Sequence, residues 1–373
     1  MTIIDERVPW IRAINAFDEA RATLSTGVRL DKARVAAKKV GDELRNGPRA
    51  ACVRTLPLTT LFYPTTFAFN RASMLPWPFV LMTHRSLLVQ VFVEGEVKNI
   101  LFNPSDVKAS RATPFFADLI DRLGERTVSA LIKDYGTVPE QLATHGIRPE
   151  DIDVVAYDHF HTQDLRPILG TDTQKATFPN AFLLAPKQEW LDWDHLHPLQ
   201  RAWFIEDGKR GVPESKVILT DHDLKLGDGC LLLRTPGHTS GNQTVFVNGD
   251  RGVFGCSENG CSADNWSPRQ SRIPGLKRFA EHYDFEVILN SNTPELGAEQ
   301  YVSMIIEKTV ADRVPEAPEF FQMFPSSEVT PTAFAPGIRP SMLFGERDSG
   351  VVQSRRISAS SATGSLQSSK TLH

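Results

Sequence analysis

Apolar positions along the chain recur with two periods, one helical and one of two residues, and the two alternate from region to region. The helical period predicts helices at 8–24, 30–44, 115–123, 128–135, 138–145, 186–193, 273–283 and 297–314. Apolar, β-branched runs predict strands at 59–63, 87–93, 98–102, 152–156, 182–185, 216–219, 230–234, 244–247, 252–256 and 286–289. Residues 94–96 predict a hairpin turn, so residues 51–104 should form an antiparallel sheet. A run of predicted strands is followed by a run of predicted helices, and this order then repeats. Such a repeat predicts one layered domain built from two similar halves.

The same pattern divides the chain into four segments. Residues 1–50 carry two predicted helices and form an N-terminal helical extension, and residues 51–314 form the main domain. Residues 315–348 are rich in Pro and Phe without a clear period, which predicts an extended arm rather than a core element. Residues 349–373 are Ser-rich and poor in apolar residues, which predicts a disordered tail.

Candidate chemistry follows the predicted strand at 152–156, where His159 and His161 stand two residues apart. Side chains at i and i+2 of an extended backbone lie on the same side, so both imidazoles can converge on one ion. The best candidate for a third ligand is His238, in the run 235–241 (Thr-Pro-Gly-His-Thr-Ser-Gly). Three imidazoles and a water form a complete open zinc site, so these residues predict a metal centre.

Composition excludes several other classes of function. The chain has 373 residues, 41% hydrophobic and 23% charged, and a net charge of −4, which gives no sign of a nucleic-acid or membrane partner. Its apolar runs are too short to span a bilayer, and its start lacks the layout of a signal peptide. Four cysteines without a CxxC pair indicate a reducing compartment. We therefore expect a cytoplasmic protein with a small-molecule substrate. The N-terminal helices either pack on the main domain or, with the arm, form a homodimer, and the sequence leaves this choice open.

Four runs resemble, in their order and spacing, the motifs of one family. They are 142–161, 178–181, 226–229 and 235–241. The first run contains the end of a predicted helix, then Pro-Glu-Asp-Ile-Asp, and then His-x-His. Together they resemble the metallo-β-lactamase superfamily, especially its lactonase-like hydrolases, over about residues 51–312. This resemblance implies an α/β fold, a four-layer αββα sandwich with the site at one edge between two mixed sheets. His159, His161 and His238 match the ligands of the family's first metal site.

The second metal site of that family is degenerate in this sequence. Gln163 stands at the position of its aspartate, and Asp164 at the position of the last histidine of the first motif. Ser257 takes the place of the bridging aspartate, with Glu258 beside it, and Asn292 takes the place of the late histidine. Neutral amides are weak ligands for a transition metal, so a single dominant ion is expected.

The leading hypothesis is a hydrolase in which a metal-bound hydroxide attacks an ester, lactone or amide. Zinc is the first expectation for the metal, with iron or manganese as alternatives. Since Gln163 cannot accept a proton, Asp164 is the first candidate for the general base and for an added ligand, followed by Glu258 and then Asp158. The alternative for Asp164 is a surface salt bridge with Arg166, and the alternative for Glu258 is a polar loop residue.

Two other functions are open at this point. Histidines with an added carboxylate also suit Fe(II), which would make the protein a mononuclear iron oxygenase on the same fold. Alternatively, the chain is an inactive binding or scaffold protein that retains the fold. Three further residues could contact the site: Cys256 as a thiolate ligand, and His195 and His197 as substrate-facing residues. A buried apolar role for Cys256 and a surface role for the two histidines are favoured instead.

Overall fold

Two mixed β-sheets packed face to face form the centre of the protein in the computed structural model, which describes residues 2–353. The seven-stranded sheet consists, in spatial order, of β1 (Thr2–Ile3), β2 (Arg12–Ile14), β9 (Asp223–Lys225), β10 (Cys230–Arg234), β11 (Gln243–Gly249), β12 (Gly252–Ser257) and β15 (Met323–Pro325). The eight-stranded sheet consists of β17 (Ser349–Gly350), β3 (Cys52–Pro64), β4 (Phe79–Val93), β5 (Glu96–Phe102), β6 (Val154–Ala156), β7 (Phe182–Pro186) and β8 (Val217–Thr220), with β16 (Ser327–Thr330) paired to β4. A separate ribbon pairs β13 (Arg313–Val314) with β14 (Ala317–Phe321).

Helices surround the two sheets. They are α1 (Asp18–Arg21), α2 (Thr26–Asn46), α3 (Thr65–Ala68), α4 (Val107–Ser110), α5 (Pro114–Leu123), α6 (Glu125–Leu131), α7 (Val138–Thr144), α8 (Arg166–Leu169), α9 (Lys187–Asp192), α10 (Ala263–Trp266), α11 (Leu276–Tyr283) and α12 (Gly297–Val310). Short 3-10 turns occur at Pro149–Asp151, Trp193–His195, Glu214–Lys216, Pro268–Gln270 and Pro294–Leu296. Within residues 2–353 no helix combines the length and the apolar character that crossing a bilayer requires.

Three buried clusters hold these layers together. The inter-sheet cluster joins side chains of both sheets, among them Val89, Ile100, Leu232 and Val245. A second cluster packs α2 and α12 onto the outer face of the seven-stranded sheet through Ala37, Val310, Leu233 and Phe246. A third packs α7 and α8 onto the outer face of the eight-stranded sheet through Leu142, Ile168, Val155 and Leu183. The predicted four-layer αββα sandwich is confirmed.

The hairpin predicted at residues 94–96 is also confirmed. β4 and β5 pair antiparallel, and Val93 lies opposite Glu96, so the connection has two residues. Glu94 and Gly95 both have positive φ, 51° and 86°. That combination is the type I′ turn whose twist matches the twist of the flanking strands.

The helix predicted at 8–24 is wrong. The segment instead forms β2, which pairs antiparallel with β9, and the one-turn helix α1. Its apolar residues are spaced as in a helix but enter two different cores. Val8 and Ile11 belong to the inter-sheet cluster, whereas Phe17 and Ala20 pack under α2. Of the two predicted N-terminal helices only the second forms, as α2.

The arm predicted outside the core is part of both sheets. β15 lies parallel to β12 in one sheet, and two residues later β16 lies antiparallel to β4 in the other. Phe320, Phe324 and Phe344 are buried in the inter-sheet cluster. The Phe residues of this segment are therefore core residues, and the short strands β15 and β16 are buried on both faces, so they carry no period-two signal.

Three smaller expectations differ from the structure. The strand predicted at 286–289 does not form, and α6 ends at Leu131 because Asp134 makes a β-bridge with Thr59. Ser349 and Gly350 of the predicted tail pair with β3, while residues 354–373 lie outside the described residues. The four segment boundaries remain predictions.

Candidate metal centre

Three histidines converge where two strands of different sheets end. His159 and His161 lie on the loop that follows β6, and His238 lies on the loop that follows β10. Their ring centroids are 4.9 Å (159–161), 4.4 Å (159–238) and 5.0 Å (161–238) apart. One ring nitrogen from each lies within 4.8 Å of the other two, and all three residues are buried. The structure thus brings together the three residues that the sequence predicts as ligands.

Neighbouring oxygen atoms fix the tautomers of two of these rings. His159 Nδ1 lies 2.7 Å from Asp158 Oδ1, and His161 Nε2 lies 2.7 Å from Gln200 Oε1. Because both oxygens only accept, these nitrogens carry the protons, which leaves lone pairs on His159 Nε2 and His161 Nδ1. His161 Nδ1 lies 3.2 Å from His238 Nε2. Carboxylate and carbonyl partners of this kind orient histidines that bind metals, so the donor set fits a transition-metal ion.

Electrostatics keep two of the imidazoles neutral. Burial, together with the charge that His159 can carry, holds the pKa of His161 and of His238 well below its usual range. Burial also lowers the pKa of His159, but the Asp158 carboxylate more than offsets this and raises it. Neutral imidazole is the form that binds a metal, so His161 and His238 need no deprotonation in order to do so.

The second-site positions lie near the cluster but offer little to an ion. Asn292 Nδ2 lies 3.4 Å from His161 Nδ1, and Gln163 lines the same cavity as the histidines. Ser257 Oγ accepts from the backbone N–H of Asn259 at 3.2 Å and belongs to a hydrogen-bonded group behind the site. The three side chains are two neutral amides and a hydroxyl, which are weak ligands for a transition metal.

Asp164 does not join the histidines. Arg166 donates to its two oxygens, with Nε at 2.8 Å from Oδ1 and Nη2 at 2.5 Å from Oδ2. This is the salt bridge considered as the alternative from the sequence. Cys256 also lies elsewhere, in the inter-sheet cluster, and His195 and His197 are exposed.

Glu258 faces the same cavity as the histidines and shares a hydroxyl with Asp158. Its Oε2 lies 2.5 Å from Ser326 Oγ and accepts from the N–H of Ser327 at 2.8 Å. Ser326 Oγ also contacts Asp158 Oδ2. Burial, reinforced by the charge of Asp158, raises the pKa of Glu258 to about 8. Of the two carboxyl groups, Glu258 therefore holds a proton at neutral pH.

Several residues of the site carry no recognisable signal in the sequence. His84 lies on β4, with Nδ1 3.1 Å from Ser327 Oγ and Nε2 2.9 Å from Ser105 Oγ, and it lines the cavity. Ser326 and Ser327 belong to the segment predicted as an outer arm. Gln200 lies on a loop between the predicted helix at 186–193 and the strand at 216–219. Glu258, by contrast, was a candidate from the sequence because it stands beside Ser257.

The cavity above the histidines has a volume of about 110 Å³ and is mostly apolar. The three histidines, Glu258 and Asn292 line one part of it. Aromatic and aliphatic side chains of β3, β4, α5 and α6 line the remainder, among them Leu61, Phe62, Met82, Leu119, Ile120 and Val128. Thr59, Ser110 and Arg111 also reach the cavity, but most of its lining away from the histidines is apolar.

Glu307 of α12 supports the His238 loop from the side away from the cavity. It is fully buried and accepts from Asn259 Nδ2, Thr244 Oγ1 and Trp266 Nε1, each at 2.8 Å. Asn259 Oδ1 in turn accepts from the backbone N–H of His238 at 2.9 Å. Burial raises the pKa of Glu307 to about 7, although its hydrogen bonds oppose the shift.

Replacement of Glu307 by glutamine should weaken the pH dependence of stability. The folded-state pKa lies above the ordinary value of 4.5, so folding takes up a proton. The stabilisation is complete below pH 4.5 and is lost as pH rises through about 7. In urea unfolding, the fall in unfolding free energy from about pH 5 to about pH 8 should shrink in Glu307→Gln by on the order of 2 to 3 kcal/mol. The exposed Glu319→Gln is the control, and an unchanged pH dependence in Glu307→Gln would contradict the assignment.

No family model and no curated protein matches this sequence. Among solved structures, a probable metal-dependent hydrolase from Staphylococcus aureus is 13% identical, with 61% of this chain and 79% of that chain covered and a TM-score of 0.44. An N-acyl homoserine lactone hydrolase, solved with N-hexanoyl-L-homoserine at its catalytic metal centre, is 15% identical (64% and 90% covered, TM-score 0.43). The hydrolase AbOPH of the beta lactamase superfamily is 17% identical (64% and 86%, TM-score 0.37).

The layer order and the position of the histidines decide the fold. Two mixed sheets lie between helices, and all three histidines lie on loops that follow strands. The chain has the metallo-β-lactamase fold. In this fold His159, His161 and His238 lie together at one edge of the two sheets, and Gln163, Ser257 and Asn292 beside them are uncharged.

Proposed function

We propose that the protein is a metal-dependent hydrolase that cleaves an ester, lactone or amide. The observation that supports this most directly is the convergence of His159 Nε2, His161 Nδ1 and His238 Nε2, with Asp158 and Gln200 holding the opposite nitrogens of the first two rings. The donor set suits zinc, with iron and manganese as alternatives. An ion held there supplies Lewis acidity, which polarises a carbonyl group and lowers the pKa of water.

One ion rather than two is proposed for this site. Gln163, Ser257 and Asn292 carry no charge, and Arg166 neutralises Asp164. Asp158 is already engaged by His159 and Ser326, and Glu258 holds a proton at neutral pH because burial raises its pKa to about 8. The electrostatic compensation that two adjacent cations need is therefore absent among these positions.

Glu258 is proposed as the proton-transfer group. The one proton of the Ser326 hydroxyl cannot satisfy two carboxylates, so one of the two acids must donate to Ser326 Oγ. Asp158 already accepts from the backbone and ring N–H groups of His159. Glu258 is therefore the donor. The Glu258 carboxyl, which lines the cavity, can give its proton to the leaving oxygen or nitrogen, and the carboxylate that results can take a proton from the attacking water.

The apolar wall of the cavity points to a substrate with an apolar portion. The carbonyl group would lie beside the histidines and Glu258, and the remainder of the molecule would contact β3, β4, α5 and α6. Burial of apolar surface stabilises such a complex by roughly 25 cal/mol per Å². Short polar esters should therefore be poorer substrates than esters with longer aliphatic acyl groups.

The proposal is tested by metal content and activity measured on the same preparation. Zinc near one ion per chain, with hydrolysis of lactones or of p-nitrophenyl acyl esters that stops on chelation and returns with zinc, is the expected result. Iron with oxygen uptake would identify the oxygenase alternative. A protein that binds no metal would exclude both enzymes and leave the scaffold alternative.

Glu258→Gln should lower kcat by about 100-fold or more while leaving the metal content unchanged. Glutamine retains a carbonyl oxygen and can donate to Ser326, but it can neither give a proton to the leaving group nor take one from water. Asp164→Asn is the matched control and should have a small effect, because Asp164 is held by Arg166. Equal kcat for Glu258→Gln and wild type would exclude the proposed proton path.

Two further proposals concern the location and the oligomeric state of the protein. A reducing, cytoplasmic location agrees with four cysteines that are all free and buried. A homodimer is proposed through α2, whose Val28 and Val35 are exposed. Size-exclusion chromatography with light scattering would test the dimer.

A further inference from the structure

A buried carboxylate on α9 connects the two loops that carry the histidines. Glu189 is 1% exposed. Its Oε1 accepts from the backbone N–H of Phe160 at 2.6 Å, and its Oε2 accepts from Thr239 Oγ1 at 2.7 Å. Phe160 separates His159 from His161, and Thr239 follows His238. One side chain therefore contacts the neighbours of all three histidines.

The His238 loop is shaped around this carboxylate. A Cβ atom added at Gly241 would lie 2.5 Å from Glu189 Cβ and 2.8 Å from its Oε2. Both distances are shorter than any ordinary contact, so a larger residue at 241 would displace Glu189 or the loop. The lack of a side chain at Gly241 is thus required for the close approach of this loop to α9.

We propose that Glu189 is a positioning residue that sets the metal affinity of the three-histidine site by bridging its two loops. The two loops belong to different sheets, and their relative position decides whether the three lone pairs meet at one point. Side chains behind the ligands of metal sites typically contribute 10- to 100-fold to metal affinity. This inference rests on the proposed function, because it requires that the histidines bind a metal.

The hydrogen bonds of Glu189, rather than its charge, are proposed to produce this effect. Glutamine can keep both contacts: its Oε1 can accept from Phe160 N–H, and its Nε2 can donate to Thr239 Oγ1 after the hydroxyl rotates. Methionine has a similar length but leaves both donors without a partner. These two variants therefore separate the bridge from the charge.

The experiment measures the zinc affinity of metal-free protein by competition with a chromophoric chelator. Glu189→Met should bind zinc about 10- to 100-fold more weakly than wild type, whereas Glu189→Gln should stay close to wild type. Thr239→Val, which removes one side of the bridge with little change in volume, should also weaken binding and serves if Glu189→Met does not fold. Thermal unfolding of each metal-free variant shows which of them are folded.

Asp192→Asn is the matched control on the same helix. Asp192 Oδ2 accepts from Ser240 Oγ at 2.5 Å, so it also ties α9 to the His238 loop, but it has no described contact with the loop of His159. Its zinc affinity should equal that of wild type. Wild-type affinity in folded Glu189→Met, or equal loss in Glu189→Gln and Glu189→Met, would overturn the bridge. Failure of the wild type to bind zinc would instead overturn the proposed function.

Discussion

His161→Ala should lose its bound zinc and with it the hydrolytic activity. The substitution removes one of the three imidazole ligands. It also leaves Gln200 Oε1 without the hydrogen bond that it accepts from His161 Nε2. Loss of a partner behind a ligand already weakens metal binding by about 10- to 100-fold, so the loss of a ligand should exceed about 100-fold. Metal per chain after dialysis and the rate of ester or lactone hydrolysis are the two measurements.

His195→Ala is the control, because His195 is exposed on the 3-10 turn after α9. It should retain wild-type zinc and activity. If His161→Ala keeps the zinc content of wild type, the three-histidine site is not the metal centre. If neither variant nor wild type contains metal, an inactive protein that keeps its fold becomes the better explanation.

The position of each histidine at the end of a strand was predictable because its determinants are local, whereas the grouping of His238 with the other two came from the resemblance to the family's first metal site. The i, i+2 spacing of His159 and His161 comes directly after a buried apolar strand, and His238 stands in a glycine-flanked turn after another. Strand ends and turns are encoded within a few residues, so both loops could be placed at the ends of strands before the structure was known. The long helices α2 and α12 were predictable for the same reason.

The partners of the histidines could not be predicted, because they depend on long-range pairing. Ser326 reaches Asp158 and Glu258 only because β15 and β16 enter two different sheets, each next to a strand far away in sequence. Strands of three or four residues that are buried on both faces show no alternation. Glu189 and Gln200 likewise act through contacts whose residues lie 29 to 50 positions apart.

Arg85→Met should destabilise the protein by about 3–5 kcal/mol. Arg85 of β4 forms an ion pair with Glu328 of β16, and the two side chains are only 7% and 1% exposed. The guanidinium also lies 4.6 Å from the centre of the Phe324 ring on β15. Methionine retains much of the apolar packing but leaves the buried Glu328 carboxylate without its ion-pair partner, with Arg347 as its remaining nearby positive charge. Urea unfolding measures the change in the free energy of unfolding.

A second variant identifies the cause. Arg85→Met/Glu328→Gln removes both charges. In the wild type the backbone N–H of Phe344 donates to Glu328 Oε1 at 2.8 Å, and the glutamine keeps an acceptor for it. It should recover most of the lost stability, since a neutral replacement of a buried ion pair is often tolerated. Arg122→Met, which breaks an exposed pair with Asp118, should cost less than about 1 kcal/mol. If Arg85→Met costs no more than Arg122→Met, residues 323–330 contribute little to the core. A cost of several kcal/mol would show that this segment, which places Ser326 beside Glu258, is as much a part of the folded unit as the strands that it joins.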